Sequence, residues 1–517
     1  MSTSTMVDDD TRAGKGAQAF SPRWQSVLLW GATLALFAIA LGMRLYKLDV
    51  PFDRDGYDEG VYWQSLRVMS AGYALYQQIF YSQPPFFLLS IYPFFALFGG
   101  TLWSARLGVA LISLLGLLGA FLLGKALSGR VGAIAALLLL LVNPLYLAES
   151  QTLQAEAPTV AFSLLAVGLA YLWWEHPEGI TSLCLAALSG MTLSLGILCK
   201  FLALSSIVPI ALLMLARLWQ IWQKQPGTRL ASSRSLIAGI AACIAAMALV
   251  LLPFLGSYHE MIQSVITFHT AASQLTSLSD SMLQMQQLLT SVLALAALYG
   301  IGAALLRRDW RVLPLVAWLL STVYSLWRLV PLFPHHLVAL IPPLIALAVM
   351  GIGDTSRYPA YKPILAKSIT LISLLILLVT ILLAVSQDRI YYHNATIHST
   401  DGLAQQEAIV ATDLRNAIAP DQLVITDAQF IAGLADRSTP PSLVDTSAVR
   451  IETGYIMSQQ LINEASQPQV HAVLFFTGRL YRPSLMAFHT WVTQHFQLIH
   501  RYGPGQELWV RQFRKVP

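Results

Sequence analysis

Only 11% of the 517 residues are charged, less than half of the roughly 25% usual in a soluble domain, so a single water-surrounded globule is excluded. The three cysteines, Cys184, Cys199 and Cys243, all fall in or at the edge of apolar runs and share no metal-ligand spacing. That excludes a disulfide framework and a zinc-thiolate site. No glycine-rich stretch has the form of a phosphate-cradling loop, so nothing points to a bound nucleotide. No internal repeat is visible, which weighs against an inverted-repeat transporter. The apolar run after Arg23 lacks a small-residue cleavage site followed by a soluble domain; it is expected to stay as a first helix rather than be removed as a signal peptide.

What the chain has is apolar sequence: 56% hydrophobic residues and a mean hydropathy of +0.60. Runs near the roughly 20 residues that span a bilayer lie at 26–46, 104–124, 131–148, 157–174, 180–199, 203–221, 235–256, 287–306, 312–330, 335–353 and 364–386. The expectation is a polytopic α-helical membrane protein of about 11 transmembrane helices. With the N-terminus in the cytoplasm, one set of loops receives Lys125 and Arg130, Lys224, Arg229 and Arg234, Arg307, Arg308 and Arg311, and Arg357, Lys362 and Lys367. This is the positive-inside pattern. The net charge of +5 is therefore read as topology, and no nucleic-acid partner is inferred.

The same count divides the chain into a cytoplasmic tail (1–25), a membrane domain (26–386) whose first external loop is 47–103, and an extracytoplasmic domain (387–517). In that last part, Leu423 to Thr426, Val473 to Phe476 and Leu508 to Val510 read as short buried strands. Ala404 to Ile418, Tyr455 to Glu464 and Leu485 to Phe496 read as helices, which together predicts a small α/β domain. Gly60 to Gly72 and Pro84 to Phe98 are too polar or too short to span, and read as interfacial helices along the outer leaflet.

Charge is concentrated in the first external loop, where Asp53, Arg54, Asp55, Asp58, Glu59 and Arg67 fall close together. Ionisable groups against a bilayer are costly unless they work or are paired. Asp58 or Glu59, hemmed by Tyr57, Tyr62 and Trp63, would be partly desolvated, and a raised pKa would suit a general base. The plain alternative is an acidic loop paired with Arg54 and Arg67. Glu156 opens a helix just before Pro158 and is either a charge favoured by the helix dipole or a second acid facing Asp58 across a cavity, for an acceptor or a divalent metal. Lys200 and Arg328 stand at outer helix ends, where they either snorkel or hold a lipid phosphate. Of His335 and His336, side chains about 100° apart on a helix, one at most is expected to face the site.

Motif order over roughly residues 40–350 resembles the polytopic GT-C glycosyltransferases that use polyprenyl-phosphate sugars, in particular family 39, which includes protein O-mannosyltransferases and lipid A aminoarabinose transferases. Asp58-Glu59 with Tyr62 is similar to that family's acidic motif, and Gln83-Pro84-Pro85-Phe86 to its Pro-Pro motif. Ala105-Arg106-Leu107, Gln154-Ala155-Glu156-Ala157-Pro158, Leu198-Cys199-Lys200-Phe201 and His335-His336-Leu337 through Pro342-Pro343 resemble later segments. The aminoarabinose transferases carry a phosphate-contacting Lys where this chain has Gln83, so neither that contact nor that sugar is implied.

The resemblance implies inverting transfer of a sugar from a polyprenyl-phosphate carrier to a lipid, glycan or protein acceptor on the external face of a cell inner or plasma membrane. Asp58 would be the base and Lys200, with Arg106 or Arg328, would hold the leaving phosphate; no cofactor is required, with a divalent metal left open at Asp58 and Glu156. The rivals are a lipid or polysaccharide transporter, which would place ionisable residues near mid-span, and an O-antigen-type ligase, against which the adjacent Asp58-Glu59 argues.

Overall fold

The computed structural model describes residues 22–50, 57–223, 226–273, 281–329, 331–353 and 363–511. Asp53, Arg54 and Asp55 of the first loop lie outside the described residues, as does most of the N-terminal tail.

The chain opens with α1 (Pro22–Leu45), then makes two shorter helices, α2 (Tyr57–Ser70) and α3 (Phe86–Leu97). α4 (Leu102–Leu141) carries two of the expected spans in one element, kinked at Ser128 and at Gly129, whose φ of +66° a glycine adopts without strain. Next come α5 (Pro144–Glu149), α6 (Glu156–Glu175), α7 (Gly179–Cys199), α8 (Ile207–Trp222) and α9 (Pro226–Leu251). Two single turns, α10 (Tyr258–Ile262) and α11 (Phe268–Ala272), precede α12 (Ser281–Leu289), which is bent by 50° from α13 (Val292–Leu306). α14 (Val312–Arg328), α15 (Ile341–Met350) and the long α16 (Pro363–His398) complete this part.

Among the described residues, the apolar runs identified in the sequence fall mainly on helix. By length and composition, six helices among the described residues are long and apolar enough to cross a membrane, or seven with the bent pair taken as one; α4 carries two of the eleven expected runs, and the shorter apolar helices Trp30–Leu45, Val312–Arg328 and Pro334–Met350 carry three others. The break between α7 and α8 is at Lys200, whose extended backbone (φ −161°, ψ 143°) leads into a 3-10 turn over Phe201–Ser206.

The last long helix runs on to His398, beyond the expected end of the membrane part at 386. α17 (Gly402–Ala417) then starts on Asp401, whose carboxylate accepts the Ala404 N–H at 2.9 Å, an N-cap. The remaining elements are β1 (Leu423–Thr426), α18 (Gln429–Leu434), α19 (Ala448–Glu452), α20 (Ser458–Ser466), β2 (Val470–Phe475), α21 (Met486–His495), β3 (Phe496–Gly503) and β4 (Gln506–Arg511). The sheet order is β1-β2-β4-β3, with β1 and β2 parallel and the other pairs antiparallel. Alternate residues of β1 and β2 supply two cores: Ile425, Val473 and Phe475 pack under α20 and α21, while Val424, Ala472 and Leu474 pack under α17 and α18. This C-terminal unit rests on the membrane part at several points, two of which frame the site. Arg450 lies 3.7 Å over the Phe80 ring, and α18 packs against α2.

The second contact buries α2, expected to lie along the outer leaflet, beneath the C-terminal unit. Ten of its residues are buried, and it lies between the membrane helices and α18. Two glycines allow this approach: a Cβ on Gly60 would overlap the backbone nitrogen of Phe430, and one on Gly433 would overlap the Trp63 ring.

Candidate active site

α2 is the element that positions the candidate base, and its neighbours follow from helical spacing. Residues three and four apart share a face. Asp58, Val61 and Tyr62 line a cavity of about 950 Å³. Gly60, Trp63, Gln64 and Arg67 turn to the C-terminal unit, where Arg67 pairs with Asp436 at 2.8 Å. Glu59 points to a third side. There its two carboxylate oxygens accept Arg106 Nε at 2.8 Å and Nη2 at 2.5 Å, and one also accepts the Leu153 N–H at 2.5 Å.

Both members of the Glu59–Arg106 pair are fully buried, and neither lines the cavity. Arg106 is further held by the carbonyls of Leu48 at 3.0 Å and Val50 at 2.6 Å, at the end of α1. The expected catalytic use of Glu59 and phosphate contact by Arg106 are therefore corrected by position: a paired, hydrogen-bonded bidentate ion pair ties α2 to α1 and α4. Nor is Asp58 enclosed by aromatic rings as expected, since its side chain keeps 45% of its exposure. Trp63 faces Gly433, and Tyr57 donates from its hydroxyl to Asp445 at 3.0 Å.

Behind Lys200 and His335, which line the cavity, Glu156 is the first residue of α6 and is almost completely buried. Its carboxylate forms an ion pair with Lys200. Lys200 therefore does not snorkel; the break after α7 turns it inward, and it lines the cavity with Arg328, the last residue of α14. A cation is also favoured there by the helix C-terminus. His335 Nε2 lies 3.6 Å from Glu156 Oε1 and 3.9 Å from Asp58 Oδ2. His335 thus stands between the two acids that were expected to face one another directly.

Both histidines face the site, contrary to expectation. They begin a 3-10 turn, Pro334–Leu340, rather than an α-helix interior, and His336 turns back so that Nδ1 accepts the Phe333 N–H at 3.2 Å. The rings meet at 4.5 Å between centroids, and His336 Nε2 lies 3.7 Å from Glu156 Oε1. Gln83 also lines the cavity, with its carbonyl accepting the Tyr76 hydroxyl at 2.8 Å. Tyr62 sets its ring edge-on to Phe87 at 5.0 Å, and burial, with the Glu156 and Asp58 charges, pushes its hydroxyl well above the ordinary value, so it remains a donor.

Cavity residues not identified from the sequence include Asp445 and Arg479 of the C-terminal unit. Arg479 lies 3.9 Å over the Tyr57 ring. Its loop follows β2 and is fixed by Asp427, just after β1, whose carboxylate accepts the N–H groups of Phe476, Thr477 and Leu480 at 2.8, 3.1 and 3.1 Å. The signal available was topological: loops at the carboxyl ends of parallel strands are where such folds bind ligands.

This fold, a bundle of broken apolar helices with a small α/β unit over a cavity, is shared with a solved polytopic membrane protein of the GT-C fold. The chain is similar to the crystal structure of ArnT from Cupriavidus metallidurans bound to undecaprenyl phosphate, with a TM-score of 0.62 at 16% identity, over 95% of this chain and 98% of that one. The apo state of the same protein gives a TM-score of 0.55 at 14% identity, over 94% and 98%. The family described as dolichyl-phosphate-mannose-protein mannosyltransferase matches residues 82–241, which include Gln83, Glu156 and Lys200. No curated protein matches the chain.

Proposed function

We propose that the protein is an integral-membrane glycosyltransferase that moves a sugar from a polyprenyl-phosphate carrier to an acceptor hydroxyl, with inversion, on the extracytoplasmic face. The observation that carries this reading is the cavity itself, a space bounded by membrane helices on one side and the C-terminal unit on the other. The half-exposed Asp58 carboxylate and the cations Lys200 and Arg328 all line it. The likeness to a fold whose representative was crystallised with undecaprenyl phosphate, and the match to a family named for a lipid-phosphate sugar donor, support the choice of donor.

Asp58 takes the proton of the acceptor hydroxyl as its oxygen forms a bond to the anomeric carbon. The bond from that carbon to the phosphate oxygen breaks with its electron pair on the phosphate. Lys200 and Arg328 stabilise the growing charge in a cleft where solvent screens it less than bulk water does. A donor anchored by its lipid reaches this cavity from within the bilayer, so no nucleotide site is needed.

A divalent cation fits Glu156, His335 and His336 better than the expected pair Asp58 and Glu156. These three offer one ligand atom each, all within 4.8 Å of one another, compared with the roughly 3.4 Å between ligands about 2.1 Å from a tetrahedral ion. Such an ion would supply Lewis acidity toward the phosphate. It would also compete with the Lys200 ammonium for Glu156, because both use the same oxygen.

The test is transfer by the purified protein from a panel of polyprenyl-phosphate sugars to membrane-extract acceptors, comparing wild type with Asp58→Asn. The expected result is donor-dependent transfer that falls roughly a hundredfold or more in the variant, with carrier binding retained. Absence of transfer from every donor, or full activity in Asp58→Asn, would refute the proposal.

A further inference from the structure

The helix that carries Asp58 is held from two sides, and the C-terminal unit is one of them. On the membrane side stand the Glu59–Arg106 pair and the Tyr62–Phe87 contact. On the other side, α18 lies so close that Gly60 and Gly433 leave no room for a side chain. Between them sits Gln64, completely buried, with both ends of its amide engaged by backbone of the C-terminal unit. Its Nε2 donates to the carbonyls of Arg437 at 3.0 Å and Gln429 at 3.3 Å, and its Oε1 accepts the Thr439 N–H at 3.2 Å. A buried amide bonded at both ends fixes the rotation of its helix, because any turn of the helix leaves buried backbone groups unpaired. Tyr57, beside Asp58, is tied to the same unit through Asp445 and Arg479.

We infer that the C-terminal unit serves catalysis by gripping α2 and aiming Asp58, with Gln64 as the positioning residue. Gln64 touches neither the cavity nor a reacting atom; it acts through the helix. The inference rests on the transferase reading with Asp58 as base. It assigns the unit a role in the chemical step, in addition to roofing the cavity.

The test uses the full-length protein in detergent and compares wild type, Gln64→Met, Gly433→Ala and Val492→Ala. Gln64→Met keeps the length of the side chain and removes its three hydrogen bonds; Gly433→Ala forces the helices apart from the other side. Val492→Ala is the control, a buried residue under the opposite face of the sheet. Both interface variants are expected to lose roughly ten- to a hundredfold in kcat, the scale of an ångström-sized misplacement of a catalytic group. Their donor KM and direct binding of polyprenyl phosphate are expected to stay at wild-type values, and amide exchange along α2 to rise. The control is expected to lose stability but keep its kcat. Unchanged kcat in the interface variants would overturn the inference. So would a loss of carrier binding in step with kcat, or an equal loss of kcat in the control. If Gln64→Met does not fold, Gly433→Ala decides alone. A wild-type protein without transfer would sink the transferase reading instead; unchanged exchange along α2 would even then show that the unit does not grip the helix.

Discussion

Lys200 allows a quantitative test, because two roles that are usually confounded can be separated there. Its ammonium pairs with Glu156, and the side chains keep 11% and 1% of their exposure. Removing one member of so buried a pair leaves an uncompensated charge, which costs about 3–5 kcal/mol. Lys200→Ala is therefore expected to melt well below wild type, and any loss of carrier binding in that variant alone would be ambiguous. Replacing both members by neutral residues of similar size, Lys200→Met with Glu156→Gln, removes the stranded charge and is expected to recover most of the stability. If Lys200 also holds the donor phosphate, this double variant folds and still binds polyprenyl phosphate weakly. Lys200→Arg should keep part of both properties, since charge persists while the compact ammonium is lost. Thermal unfolding and carrier binding in detergent, measured on all four proteins, check the scheme. Either a Lys200→Ala protein as stable as wild type, or a neutral double variant with undiminished carrier affinity, would refute the reasoning.

Other expectations follow from the same geometry. Glu59→Gln strands the fully buried Arg106 guanidinium and should lower stability by about 3–5 kcal/mol, whereas Asp58→Asn should melt like wild type; thermal unfolding of the pair decides, and a stable but inactive Glu59→Gln would move the base by one residue. A reporter fused after Thr400 should behave as extracytoplasmic and one at Gln225 as cytoplasmic; reversal of both would put the cavity on the wrong side for the proposed reaction. In the C-terminal unit, burial alone would raise the Glu507 carboxyl. Hydrogen bonds from Trp509 and Tyr481 at 3.0 Å each and from Arg501 at 2.7 Å outweigh that and hold it below its ordinary value. A depressed carboxyl stabilises the fold above its unfolded pKa of roughly 4.3, and that stability is lost as pH falls through the lower folded value. Protection of the β4 amides, taken as exchange relative to the intrinsic rate at each pH, should therefore fall on acidification, and Glu507→Gln should flatten that dependence; an identical pH profile of protection in the variant would contradict it.

What was legible in the sequence had a local pattern. The apolar runs predict the helices because length and hydropathy are properties of a segment, and β1, β2 and β4 were found because short apolar runs stand between polar turns. β3 was missed for the complementary reason: as an edge strand it carries Gln497, His500 and Arg501 and buries little, so it has no apolar signature. Contacts across long separations were not legible. Lys200 and Glu156 could be named as charges at helix ends, yet their pairing depends on the break after α7. Arg479 and Asp445 reach the cavity only through the sheet topology.

The adjacent acids of α2 show where such reading stops. Asp58 and Glu59 are equivalent in composition and nearly so in chemistry, and a helix turns successive residues about 100° apart. Which one meets the cavity and which is consumed by Arg106 is set by the rotation of α2. That rotation is fixed by partners far away in the chain: Arg106 and Leu153 on one side, and the backbone of Gln429, Arg437 and Thr439 on the other. The difference between a structural acid and a candidate base is thus a property of the assembled interface. For that reason Gln64, a neutral residue with no chemistry of its own, carries as much information about the site as the charges that first drew attention to the loop.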